Sequence, residues 1–372
     1  MDTHLTPVIA GFIPLLDSAV LVAAREMGFA EREGIALKLV RETSWANIRD
    51  RIAVGHFDVA HMLAPMPIAA SLNLTSLAVP MLAPMILGLG GNAITVSADL
   101  WRNMAGWGAG PDGDPVSTGA ALAKIVRDSG AGPEARLRFG VVHPFSGHAY
   151  ELRYWLAAAG IDPDTDVEIS VIAPQLMADA LAAGQLDGFC VGEPWNTVAV
   201  AAGTGRIATY KQAIWPDSPE KVLGVTRKWA EAHPVTLSAL MRAVSSAADW
   251  CADPANAEPL AVLLARPEIL ACPVEVCLPA LKGDMQLGRN TSRRIPEFLT
   301  FSGGARAAPS PGHGQWFYEQ MVRWGQAEPS AEAEASVARI FSPGLYQSAL
   351  GLENLPRQAP ARLFDRQDGT GG

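Results

Sequence analysis

The 372-residue chain has little charge and few aromatic side chains, 18% and 7% of residues against 49% hydrophobic. Its 38 acidic residues outnumber 29 basic ones for a formal net charge of −9, and no Lys/Arg run or aromatic–basic interleaving occurs. That balance excludes an electrostatic footprint for direct nucleic-acid binding. Cysteines are few: Cys190, Cys251, Cys272 and Cys277. None forms a CxxC pair or a zinc spacing, so they read as small, reduced, packed side chains. No apolar stretch reaches transmembrane length without charges or breakers. MDTHLTPVIAG has neither a basic leader region nor a following cleavage site, so a soluble cytoplasmic protein is expected. Catalytic signatures are missing as well: there is no G-x-S-x-G, no HExxH, no GK[ST], and no GxGxxG opening a helix. The seven histidines, at 4, 56, 61, 143, 148, 233 and 313, include no two at metal-ligand spacing on an obvious helix. No catalytic residue, metal or cofactor is therefore expected.

What is present is a strand–helix rhythm long enough for two or three lobes. VIAGFI (8–13), IALKLV (35–40), FDVAHM (57–62), LAVPMLA and AITVS read as strands, separated by helical stretches such as TSWANIRDRIAVG (43–55). Asp17 or Ser18 is placed to cap the first helix, and Thr43 or Ser44 the second. After the loop GWGAGPDGDP (106–115) the pattern restarts with RFGVV, AYELRYWLAAAG, VEISVI, QLMADALAAG and DGFCV, and KVLGVT (221–226) leads back. The rhythm predicts a mainly parallel sheet with helices on both faces. From Arg227 the chain reads as predominantly helical. The expected organisation is α/β and hinged: lobe I from 1–97 and 226–350, lobe II from 98–225, and a mobile tail over 351–372. In open α/β sheets ligands sit beyond strand carboxyl ends, here between the lobes.

Five positions at strand ends or helix starts share one property. Trp45 offers an indole N–H, Asn92 an amide N–H₂, His148 a ring N–H and Lys221 an ammonium; Gly192, in VGEPWN, leaves backbone N–H groups open to approach. His148 stands where a helix begins, a place that suits an anion. Taken singly, each residue has an ordinary structural role. Taken together they describe a pocket of donors for a small anion that only accepts hydrogen bonds, with Glu193 near enough to balance Lys221 when empty.

The segments TSWANIRDRI, HMLAPMPIA, GGNAITVS, GHAYELRYWLAAAGIDP, FCVGEPWN, PEKVLGVT and HGQWFYEQMVRWG resemble the nitrate/nitrite-binding family of periplasmic-binding-protein-like proteins. These are related to the receptors of nitrate and bicarbonate ABC transporters. The likeness runs from about Thr6 to about Leu350 and implies a type II periplasmic-binding-protein-like fold with two doubly wound lobes and a cleft. It also implies that Trp45, Asn92, His148, Gly192 and Lys221 hold nitrate or nitrite. Asn92 departs from the family's usual glutamine. Bicarbonate-binding relatives replace the lysine with an acidic residue and recruit calcium, so Lys221 favours nitrate or nitrite. Members without a leader are similar to the family's cytoplasmic nitrate/nitrite sensors, which release an RNA-binding antiterminator partner when the anion binds. The resemblance thus implies a sensor regulating nitrate assimilation, with neither direct nucleic-acid nor membrane contact. The substrate-binding component of a nitrate/nitrite ABC transporter is the alternative, and a thiamin-pyrimidine-synthase-like enzyme the third.

Overall fold

The computed structural model describes residues 5–130, 136–301, 303–355 and 363–365. Most of the expected apolar runs become strands, LAVPMLA being displaced because its strand starts only at Met81 and runs on to Gly90, and two sheets result. The first is ordered β13–β4–β10–β3–β1–β2. It contains β1 (Thr6–Phe12), β2 (Ile35–Arg41), β3 (Val59–Leu63), β4 (Met81–Gly90), β10 (Pro219–Thr226) and β13 (Leu299–Thr300). The second is ordered β7–β6–β8–β5–β9. Its strands are β5 (Asn92–Ser97), β6 (Leu137–Val141), β7 (Val167–Val171), β8 (Gly188–Gly192) and β9 (Gly205–Tyr210). A hairpin of β11 (Asp284–Gly288) and β12 (Thr291–Arg294) completes the set.

Neither sheet is mainly parallel, which corrects the expectation from rhythm alone. β1 pairs parallel with β2 and β3, and β6 with β7 and β8. β10 runs antiparallel to β3 and β4, β13 to β4, and β5 to β8 and β9. The cause is the chain's two crossings between lobes. β5 follows β4 across Gly91, and β10 follows β9 after the segment 211–218, so each enters its sheet from the neighbouring lobe rather than over a crossover helix. Consequently β5 belongs to the second sheet and β10 to the first. The chain changes lobes earlier than bounds at 97/98 and 225/226 place it. The first crossing depends on glycine: Gly90 has φ +71°, and a Cβ there would lie 2.3 Å from the Phe298 carbonyl oxygen.

Helical segments cover the sheets. Pro234–Ala252 packs on Ala19–Glu26 against the first sheet, and Pro311–Arg323 places Trp316 on Trp215 with ring centroids 4.0 Å apart. No helix among the described residues is long and apolar enough to cross a membrane. Most of the expected mobile tail, 356–362 and 366–372, lies outside the described residues. Residues 363–365 are docked instead: Leu363 is buried, the Phe364 N–H donates to the Ile214 carbonyl at 3.1 Å, and Tyr154 donates its hydroxyl to Asp365. An apolar Leu-Phe pair within a polar tail is enough to hold that point of the chain.

Candidate functional site

The five expected residues converge from both lobes, and all are buried. Trp45 opens the helix Trp45–Ala53, capped by Ser44, whose hydroxyl accepts from the Asn47 N–H at 3.2 Å. His148 lies in the first turn of Gly147–Ala158, where the Ser146 hydroxyl accepts from the Ala149 N–H at 3.0 Å. Asn92 and Gly192 face each other in the β5–β8 register, at the ends of strands that meet lobe I. Lys221 projects from β10, beside Leu63 of β3 and Gly88 of β4. Its ammonium sits 5.4 Å from the Trp45 ring centroid.

The donor-only pocket does not survive as expected, because carboxylates stand among the donors. The Lys221 ammonium pairs with Asp17 at 2.8 Å and with Glu220 at 2.9 Å. Glu193 is not its partner; that carboxylate accepts from the Thr197 N–H at 3.1 Å. Asp17 does not cap the first helix either. Its second oxygen lies 3.0 Å from His61 Nε2, and the His61 ring packs against Trp45 with centroids 5.5 Å apart. Glu220 reaches across the lobes. It accepts from Lys211 at 2.9 Å and stands 3.5 Å from His148 Nδ1. Lys211 also pairs with Glu151, which accepts from the Asn92 amide N–H₂ at 3.2 Å. Asn92 thus gives one N–H to Glu151 and turns its oxygen toward Gly192.

Two local features make this possible. Consecutive strand residues normally face opposite sides, but β10 shifts register on either side of Lys221. The irregularity aims both Glu220 and Lys221 at the site. Gly147 is the other device, since a Cβ there would come within 2.4 Å of a Glu220 oxygen.

Several polar atoms in this buried cluster have no hydrogen-bond partner: Trp45 Nε1, both ring nitrogens of His148, His61 Nδ1 and Asn92 Oδ1. Buried orphans are costly, and a cluster of them marks a place where a ligand supplies the missing bonds. Burial drives the His148 pKa down to about 3, although Glu220 pulls the other way, so the ring is neutral at neutral pH. His61 is lowered by burial as well, against the upward pull of Asp17. Glu220 faces two ammoniums, which outweigh its burial and hold it far below the usual carboxylate range. Glu151 shares one ammonium with Glu220, and burial raises it.

A match to the NMT1-like family model extends over residues 2–265. The chain belongs to the NMT1-like family. Within it, the chain is 31% identical over 360 residues to the nitrate/nitrite binding protein NrtA of Synechococcus elongatus, covering 94% of this chain and 79% of that one. It is 33% identical over 365 residues to the bicarbonate transport ATP-binding protein CmpC of the same species, covering 95% of this chain and 52% of CmpC. The chain spans about half the length of such ATP-binding relatives. Among solved structures, the periplasmic nitrate-binding protein NrtA from Synechocystis PCC 6803 superimposes with a TM-score of 0.87 at 27% identity, covering 97% and 94% of the two chains. The fold is the two-lobed periplasmic-binding-protein fold.

Asp17, His61, Glu151, Lys211 and Glu220 were missed as site residues. Asp17 did carry a signal, being a single carboxylate inside the apolar run from Val8 to Ala24. Glu151 and Lys211 had none, because only the three-dimensional register brings them together. Gly192 yields a clean test. A Cβ there would meet Asn92, Asp17 and Leu15 at ordinary contact distances of 3.5–3.6 Å. Gly192→Ala should therefore leave the melting temperature within a degree or two while weakening anion binding at least about tenfold, by filling the gap beside the orphaned atoms. A titration showing unchanged affinity would remove Gly192 from the site.

Proposed function

We propose that the chain binds nitrate or nitrite between its lobes and acts as a cytoplasmic sensor of the NasS type, releasing an RNA-binding antiterminator when the anion is held. The observation that carries the anion reading is the set of orphaned donors, Trp45 Nε1 and the His148 ring, brought beside Lys221 and Gly192 from opposite lobes. The names of the NrtA relatives support the choice of anion. Retention of Lys221 supports it too, since nitrate and nitrite have no proton to donate near neutral pH.

Anion contacts drawn from both lobes favour the closed form. A partner that prefers the open form is then lost in proportion to that difference, and a tenfold effect needs only about 1.4 kcal/mol. The sulfurs of Cys272 and Cys277 lie 3.4 Å apart. The half-exposed Cys272 thiol is lowered by the Cys277 S–H, whereas burial raises Cys190 and Cys251. A thiol reagent should label one cysteine fast in the folded protein, and Cys272→Ser should abolish that phase. Equal labelling of two or more thiols would contradict the packing.

The transport reading has its own support, since the ATP-binding relative is named for bicarbonate transport and the solved NrtA is periplasmic. Tagged full-length chain separates the two. The sensor reading expects an RNA-binding antiterminator to co-purify without nitrate and to elute on nitrate but not on chloride. Retention of a membrane permease instead would favour transport.

A further inference from the structure

Lys221, the cation expected to meet the anion, is already neutralised. The buried cluster holds two ammoniums, Lys211 and Lys221, against three carboxylates, Asp17, Glu151 and Glu220. With neutral histidines it carries no positive excess whether Glu151 is ionised or protonated. A monoanion entering such a buried site adds negative charge that nothing present offsets, and buried unbalanced charge is expensive. The favourable way to restore balance is a proton.

We infer that this site takes up its anion together with a proton, and that Glu151 is the residue that receives it. The inference rests on the anion reading above. Glu151 is singled out by its neighbours on every side. From its own helix it is flanked by His148 and by Gly147, whose Cβ position lies 3.2 Å from Glu151 Oε1. From β5, Asn92 donates to it; Lys211 pairs with it from 211–214; Glu220 of β10 faces it as a like charge; and Cys190 of β8 lies within its field. Glu220 has two ammoniums and Asp17 has Lys221 with His61 beside it, so both stay ionised. Glu151 has one ammonium, shared, and is fully buried. Burial raises its pKa, whereas Asp17 and Glu220 are both lowered, so of these three carboxylates Glu151 is the one that favours a proton. Protonation also weakens its hold on the Asn92 amide, freeing an N–H for the bound oxyanion. Glu151 acts through charge balance and through Asn92, so it is a positioning and specificity residue. Strong acids' anions and weak acids' anions alike would be bound with the proton, and affinity would fall as pH rises.

The test is isothermal titration of the full chain with nitrate and with nitrite at pH 6.5, 7.5 and 8.5, each in two buffers of different ionisation enthalpy. The expected result is a dissociation constant rising up to about tenfold per pH unit and a buffer-dependent heat reporting up to about one proton taken up per anion. Glu151→Gln, which mimics the protonated carboxyl and keeps one of the two oxygens that Lys211 and Asn92 separately address, should bind with pH-independent affinity, no buffer-dependent heat, and tighter than the parent at pH 8.5. Binding that is pH-independent in the parent chain overturns this inference and leaves the anion reading standing. Uptake that persists in Glu151→Gln overturns the assignment to Glu151 and moves the proton elsewhere, His148 being the nearest alternative. Absence of binding by either anion at every pH removes the anion reading and this inference with it.

Discussion

Replacing Lys221 by methionine is expected to abolish anion binding and to cost about 3–5 kcal/mol of stability. The ammonium holds two buried carboxylates at once, Asp17 at 2.8 Å and Glu220 at 2.9 Å. Without it, Asp17 keeps His61 and Glu220 keeps Lys211, so removing one partner leaves under-compensated charge on fully buried side chains. Lys221→Glu is the harsher change, because a third carboxylate would face the other two, and loss of fold would obscure any change in anion choice. The double variant Lys221→Met/Asp17→Asn separates the two effects. It removes the stranded charge, so chemical denaturation should recover much of the lost stability, while nitrate binding should stay at least about a hundredfold weakened. Recovery of binding along with stability would show that Lys221 supports the fold and does not meet the ligand.

Stability should also fall as pH drops below about 6.5. Burial lowers the pKa of His143 to about 4 and of His148 to about 3, and it lowers His61 as well. In the unfolded chain these rings take protons near 6.5, whereas in the folded chain they resist until far lower. The unfolded state therefore binds more protons below pH 6.5, and each ring removes up to about 1.4 kcal/mol per pH unit over its window. Glu220, held far below its ordinary value by its two ammoniums, adds to the loss once pH falls through about 4.5. Glu193 works in the opposite direction. Burial raises it to about 7, so its contribution is greatest below 4.5 and disappears as pH rises through 7. Glu151, raised by burial, works in the same direction as Glu193, but four buried histidines, His313 at about 4 among them, outweigh these two carboxyls, and urea midpoints at pH 7 and 5.5 should show a clear decrease. Nitrate should narrow the gap, since proton-linked binding is stronger at the lower pH. A midpoint that rises on acidification would contradict the placement of the histidines.

Much of the fold is legible in the sequence, and particular elements show why. The alternation of IALKLV, the cap before Trp45 and the Ser-Gly start before His148 are local signals, and each produced its element. The direction of β5 and β10 was not legible, because antiparallel entry follows from two chain crossings that no local pattern records. The strand GRIATY, β9, escaped although a turn signal, Gly203-Thr204-Gly205, precedes it; it is short and lies between short elements. At the site, the resemblance to nitrate-binding proteins named five residues that the structure does bring together. It did not reveal that Lys221 is already paired. Neither spacing nor composition could show it, since Asp17 and Glu220 reach the ammonium through tertiary packing and a register irregularity in β10. That pairing turns a pocket of donors into a balanced charge cluster.

The measurement that tests the central claim most directly is calorimetric titration of the purified chain at pH 7 with nitrate and nitrite, beside chloride, sulfate, and bicarbonate with calcium. Saturable binding of nitrate or nitrite alone, weakened at least about tenfold in Gly192→Ala, is the predicted result. Saturable binding of bicarbonate with calcium and none of nitrate or nitrite would contradict the account.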